Sequence, residues 1–186
     1  VSLVHLGAAR FESTAAGDFS TRPGRFKTQT DQILFLRQMV NEDRALAAIR
    51  GLARDIVFRQ YHCPARNEIA YALAIGQWVQ ANITYVRELP EEFQHAPATI
   101  AMGYGDCDDF AVVTAALLES IGIPAELVGM EWDTPEGRGF GHIFARAVFG
   151  THRVPLDATL ELPIDAMTDP IKVGLERGLR LRILVA

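Results

Sequence analysis

The stretch Gly103-Tyr104-Gly105-Asp106-Cys107-Asp108-Asp109-Phe110, running on through Ala111-Val112-Val113-Thr114-Ala115-Ala116-Leu117-Leu118, decides how this chain is read. A glycine-rich turn leads into a cysteine among three acids, and an almost wholly apolar segment follows until Gly122 and Pro124. A segment that is apolar on every side is predicted to be a helix buried in the middle of a domain. Gly122 suits its C-terminal cap, and Pro124 cannot continue it. Cys107 then falls in the first turn, where unpaired backbone N–H groups and the helix dipole favour an anion. A thiol so placed is expected to have a lowered pKa and to serve as a nucleophile. Against this, free cysteines mostly just pack. The neighbouring carboxylates oppose a thiolate, and one of them suits a helix cap. Cys107 therefore needs a base from elsewhere before it counts as a site.

C-terminal to this helix the pattern changes to strands. Ala125 to Trp132 is the first, Asp133 to Gly139 reads as a turn, and Gly141 to Phe149 is the second. Gly150-Thr151 is a natural tight connection, after which His152 to Asp157 returns antiparallel. Pro155 within the returning strand implies an edge position or a bulge. With Gly150-Thr151 as the loop, Asp157 faces Phe144 and His142 is its diagonal neighbour. With the turn one residue earlier, His142 faces Asp157 directly. Either register lets the carboxylate reach the imidazole. Residues 179–185, with Leu179, Leu181, Ile183 and Val185 alternating, form a last strand.

N-terminal to the glycine turn the chain reads mainly as helix. Ala98 to Met102 precedes the turn, and Leu89 to Pro97 is a polar, prolyl loop. Arg66 to Asn82 has helical spacing and passes into a short β-type run, Ile83 to Val86. A helix from Asp31 to Val40, capped by Thr30 or Asp31, is followed by a second from Asn41 to Gln60, with Gly51 inside it. Gly17 to Thr30 reads as a loop or surface arm, and Val1, Leu3 and Leu6 as a short strand. Helices first and antiparallel strands after the central helix make an α+β fold. At 186 residues the chain is expected to be one domain, with residues 1–60 as an arm and helices and 61–186 as the core.

Composition narrows the function classes. Apolar content of 49% and charged content of 22% are those of an ordinary soluble globular protein. A net charge of -5 argues against a broad basic surface for nucleic acid. Two cysteines, Cys63 and Cys107, make no disulfide framework and are expected to be reduced. The five histidines show no zinc-ligand spacing. Gly137-Arg138-Gly139-Phe140-Gly141 opens a strand rather than a helix and lacks the Lys-Ser/Thr pair of a phosphate loop. No apolar run reaches the roughly 20 residues that span a bilayer. No signal peptide is visible, which favours the cytoplasm, but the chain begins at Val1 rather than methionine and trimming leaves export open.

Cys107 at a helix start, His142 on a strand and Asp157 on the next form a nucleophile, base and orienting acid in the required order. The backbone N–H of Cys107 is one candidate oxyanion donor, and the side chain of Gln94 or Tyr104 is another. These residues also carry a family resemblance. Trp78-Val79-Gln80-Ala81-Asn82-Ile83-Thr84-Tyr85, Gly103 to Ala111, Leu118 through Ile123-Pro124-Ala125, Gly141-His142 and Leu156-Asp157-Ala158-Thr159 resemble the core of the transglutaminase-like superfamily, the papain-related cysteine enzymes. The resemblance covers about half the chain and implies a papain-like core. It assigns the family's catalytic cysteine to Cys107, its histidine to His142 and its aspartate to Asp157.

Two positions depart from the family pattern. Ile143 stands where an aromatic often follows the histidine, and Val154-Pro155-Leu156 lacks the tryptophan that often precedes the aspartate. The Asp-Cys-Asp-Asp run is similar to that of bacterial cysteine proteases of this type, some of which bind calcium. By that resemblance Asp106 and Asp108 are candidate calcium ligands, and no cofactor is required. The expected activity is hydrolysis of peptide, amide or isopeptide bonds in a protein or peptide substrate. A transglutaminase using the same triad, and a non-catalytic peptide-binding or assembly module, are the alternatives.

Overall fold

A computed structural model describes residues 22–23, 26, 28–86, 92–134, 137–160, 169–176 and 182–186. The expected strand at Val1 to Leu6 lies outside these, as do Leu179 and Leu181 of the last strand. Helix α1 spans Gln29–Asp43, α2 Ala47–Asp55 and α3 Glu68–Asn82, and a π-helical turn, Ile56–Gln60, follows α2 directly. Helix α4 is Ala96–Met102 and α5 is Cys107–Ser120. Strands β5 (Ala125–Thr134), β6 (Gly137–Phe149) and β7 (His152–Leu156) come next, then α6 (Pro170–Glu176) and β8 (Arg182–Val185). The main sheet has the order β7-β6-β5-β8, and its described pairings are antiparallel. Four two-residue strands complete the set. β1 (Arg22–Pro23) pairs antiparallel with β3 (Glu92–Phe93), and β2 (Thr84–Tyr85) pairs parallel with β4 (Tyr104–Gly105). The fold is α+β, as expected, with α5 at its centre.

Helix α5 is buried along nearly its whole length, from Asp108 to Leu118. On one side it meets Ile33, Leu36, Ile49, Ile75 and Val79 of α1 to α3 in a common core; on the other that core takes in Leu127, Ile143, Ala145 and Ala147 of the sheet. This is the placement an all-apolar helix requires. Its C-terminus closes with Gly122 at φ +90°, whose N–H donates to Glu119 O, while Ile123 N–H donates to Leu118 O. That paired pattern satisfies the last carbonyls, and the buried Ile123 supplies the apolar contact that goes with it.

Several boundaries differ from the sequence reading. Thr28, not Thr30 or Asp31, caps α1, and Asp31 completes a reciprocal capping box from the third helical position. The single helix expected over Asn41 to Gln60 is divided. Helix α1 runs on to Asp43, whose buried carboxylate leaves the helix line to bind His95 Nδ1 and Ala96 N–H. The prolyl loop ends at His95, because Pro97 sits inside the first turn of α4, where its missing N–H costs nothing. Asn67 caps α3, so that helix begins two residues later than Arg66. Most of the turn expected over Asp133 to Gly139 is strand, with Thr134 paired to Gly137.

Candidate active site

The N-terminus of α5 is assembled from the Gly105 to Asp109 segment. Asp106 is the N-cap, and its side chain accepts from Asp108 N–H at 3.1 Å. Asp109, at the third helical position, accepts from Asp106 N–H at 3.1 Å. Its other oxygen accepts from Gln94 N–H at 3.0 Å. One buried carboxylate thus ties residue 94 to the turn that carries Cys107. Gly105 makes this possible. A Cβ there would lie 2.6 Å from Asp109 Oδ2 and 2.7 Å from Asp109 Cβ, closer than atoms can approach. The glycine and the acids flanking Cys107 are one interlocked turn.

The hairpin adopts the first of the two expected registers: Phe149 pairs with His152 and Ala145 with Leu156. Strand β7 is the sheet edge, as Pro155 implied. His142 and Asp157 meet across the diagonal, with His142 Nε2 and Asp157 Oδ2 2.6 Å apart. Asp157 is 1% exposed, and its Oδ1 accepts from the hydroxyl of Thr159 at 2.6 Å and from Thr159 N–H at 3.2 Å. The carboxylate is therefore fixed on both oxygens, and the tie to Nε2 leaves Nδ1 as the free nitrogen of the ring.

Before His142 the strand bulges: Met130 pairs with His142 and Glu131 with Phe140, leaving Gly141 unopposed. The Trp132 ring fills that place so closely that a Cβ on Gly141 would lie 2.0 Å from it. The imidazole stacks on Phe144, centroids 6.2 Å apart.

Cys107 is a free thiol, and so is Cys63. Ile143, the residue next to His142, lowers the pKa of the Cys107 thiol through its backbone. No hydrogen bond joins Cys107 to His142 among the described residues; the packing of α5 and β6 in one core is what brings helix start and strand together. The expectation of a lowered thiol pKa is corrected. Burial pushes the Cys107 thiol well above its ordinary range, Asp106 and Asp108 push it further, the Ile143 backbone lowers it, and Asp157 raises it again. The reason is that the first-turn carboxylates and the loss of water outweigh the helix dipole.

Of the oxyanion candidates, Gln94 is buried on the Asp109 tie, whereas Tyr104 is 41% exposed on β4. Three residues that build the site were not given these roles from the sequence. Asp109 was legible in principle, since an acid three residues after an N-cap Asp is a capping-box pattern. Thr159 adjoins the orienting acid. The role of Ile143 lies in its backbone, which no residue type reveals. The carboxylates of Asp106, Asp108 and Asp109 each place an oxygen within 4.8 Å of the others, a spacing that fits one divalent cation.

A family profile described as the transglutaminase-like superfamily matches residues 57–158, more than half of the chain. No curated protein is similar enough in sequence to match. Among solved structures, a candidate protease from Parabacteroides distasonis is 12% identical with a TM-score of 0.55, covering 81% of this chain and 32% of its own. A candidate cysteine protease from Cytophaga hutchinsonii is 21% identical with a TM-score of 0.49, covering 75% of this chain and 48% of its own. LapG of Legionella pneumophila is 13% identical with a TM-score of 0.43, covering 67% of this chain and 73% of its own. The chain thus spans about a third and about half of the first two proteins, and the Parabacteroides likeness bears on the fold alone. No described helix is long and apolar enough to cross a membrane.

Proposed function

Since the chain belongs to the transglutaminase-like superfamily, we propose that it is a cysteine hydrolase acting on peptide, amide or isopeptide bonds of a protein or peptide, with Cys107 as nucleophile, His142 as base and Asp157 as orienting acid. The single observation that carries this reading is the 2.6 Å contact between His142 Nε2 and Asp157 Oδ2, on a strand whose next residue, Ile143, packs in the same core as Cys107. The Cys107 thiol gives its proton to His142 as the sulfur attacks the carbonyl carbon. The C–N bond then breaks, the imidazolium protonates the leaving amine, and a thioester remains on Cys107. Water attacks the thioester while His142 takes its proton, and the acid leaves as the thiol is restored. Asp157 favours the charged imidazolium, and that charge offsets Asp106 and Asp108 beside the sulfur. Cys107 N–H and the Gln94 side chain are the proposed oxyanion donors.

Calcium, if bound, would sit on Asp106, Asp108 and Asp109. It would supply positive charge that lowers the Cys107 thiol pKa; none of the steps above needs it. A second reading, a non-catalytic peptide-binding or assembly module, is favoured by one observation: His142 bonds Asp157 and no hydrogen bond joins it to Cys107 among the described residues. Transamidation uses the same thioester with an amine in place of water.

The test is incubation with a peptide library, with and without an added primary amine, followed by mass analysis. Cleavage or deamidation that disappears in Cys107→Ala is expected. Amine incorporation would make the protein a transglutaminase, and no change in either arm would leave the binding module.

A further inference from the structure

At the other end of α5, about 20 Å from Cys107 at 1.5 Å per residue, a hollow of about 350 Å³ is lined by Arg50, Arg54, Phe58, Tyr71, Ser120 and Ile121. Arg50, Arg54 and Phe58 recur every fourth residue and form one stripe along α2 into the π-helical turn. Phe58 is 46% exposed and meets Tyr71 edge to face, centroids 5.4 Å apart. Most of the polar capacity left is donor capacity. Arg50 uses Nε on Ser120 O at 3.2 Å, and its two terminal amino groups carry no bond among the described residues. Arg54 makes no hydrogen bond or ion pair among them at all. Tyr71 Oη accepts from Arg66 N–H at 2.8 Å, which leaves its hydroxyl hydrogen to give. Ser120 turns its own hydroxyl hydrogen to Leu117 O.

Two guanidiniums one helical turn apart repel, and no carboxylate lines the hollow to offset them, in a chain whose net charge is -5. The dipole at the end of α2 favours Arg54 but gives no reason for Arg50 beside it. Donors in excess of acceptors, over an aromatic wall and in a volume typical of small-ligand pockets, match one ligand chemistry. We propose that this hollow binds a carboxylate carried on an apolar or aromatic body, either a free acid or the last residue of a peptide, at a site separate from Cys107. The two guanidiniums hold the carboxylate in charge-assisted bonds, and Phe58 and Tyr71 receive the apolar part.

The test is calorimetry on the full chain with N-acetylphenylalanine, its neutral amide, and a hexapeptide ending in phenylalanine with a free or amidated terminus. The acids are expected to bind at least about tenfold more tightly than their amides, since one charge-assisted contact is worth that much. Arg54→Ala should lose that preference and Arg54→Lys should keep part of it, with little change in melting because the Arg54 side chain bonds nothing among the described residues. Prior alkylation of Cys107 should leave binding intact. Peptide tighter than free acid would identify a chain end as the ligand, and equal affinity a small acid; both support the site. Equal binding of acid and amide, no binding of either, indifference to Arg54→Ala, or loss on Cys107 alkylation would overturn it.

Discussion

Replacing Gly105 by alanine tests the interlocked turn beneath Cys107. The new methyl would lie 2.6 Å from Asp109 Oδ2 and 2.7 Å from its Cβ, so the Asp109 side chain must move. That carboxylate holds two backbone donors, Gln94 N–H at 3.0 Å and Asp106 N–H at 3.1 Å. Hydrogen bonds to a charged group contribute about 1.5–3 kcal/mol each, and a buried donor left unmatched adds its desolvation penalty. Losing one bond and weakening the other predicts a destabilisation of about 3 kcal/mol, or a fall in melting temperature of about 6–12 °C for a chain of this size. Alkylation of Cys107 should slow as well, because its turn and the Gln94 segment are no longer tied. The control is Gly51→Ala in the middle of α2, where nothing lies within 4 Å of the new methyl. There the same substitution should stabilise by about 0.5–1 kcal/mol through helix propensity. Urea unfolding and iodoacetamide kinetics measure both effects. Gly105→Ala within about 0.5 kcal/mol of the parent, with an unchanged labelling rate, would refute the steric argument.

Thr159→Val removes the 2.6 Å hydroxyl donor to Asp157 Oδ1; peptide turnover should drop about tenfold at unchanged KM, as for loss of one charge-assisted bond. Because the Cys107 pKa is raised by folding, its contribution to stability is complete below the ordinary thiol range and declines as pH rises through it, when the unfolded chain sheds that proton. Cys107→Ala should flatten that alkaline decline in a pH series of melting temperatures. Glu126 is the opposite case: burial raises its pKa, but bonds from Arg146 and Arg153 outweigh it and hold the group low. Its contribution is present above the ordinary carboxylate range and lost as pH falls through the lowered value, so Glu126→Gln should reduce the acid sensitivity of the fold.

Much of this arrangement was legible because it rests on local pattern. The all-apolar run from Phe110 to Leu118 can only be buried, and the Gly150-Thr151 turn admits few registers. The rest depends on contacts distant in sequence. Nothing near Asp43 announces that its carboxylate binds His95 and Ala96, so the break between α1 and α2 could not be read from spacing. The Trp132 ring against Gly141 appears only when β5 and β6 are paired. The thiol pKa was misjudged because helix position favours an anion, whereas the burial of α5 opposes one, and only packing decides between them. Thr28, rather than Thr30 or Asp31, caps α1 because its side chain meets Asp31 N–H, a contact that residue type alone does not distinguish.

The proposed chemistry turns on His142 taking the Cys107 proton. The most direct measurement is the rate of Cys107 alkylation by iodoacetamide between pH 5 and 10, with Cys63 as internal reference, in the parent and in His142→Ala. The account predicts that Cys107 reacts much faster than Cys63 near neutral pH. In His142→Ala that reactivity should disappear, leaving Cys107 no faster than Cys63 across this range. Equal, slow labelling of the two cysteines in the parent, or the same profile in both proteins, would contradict it.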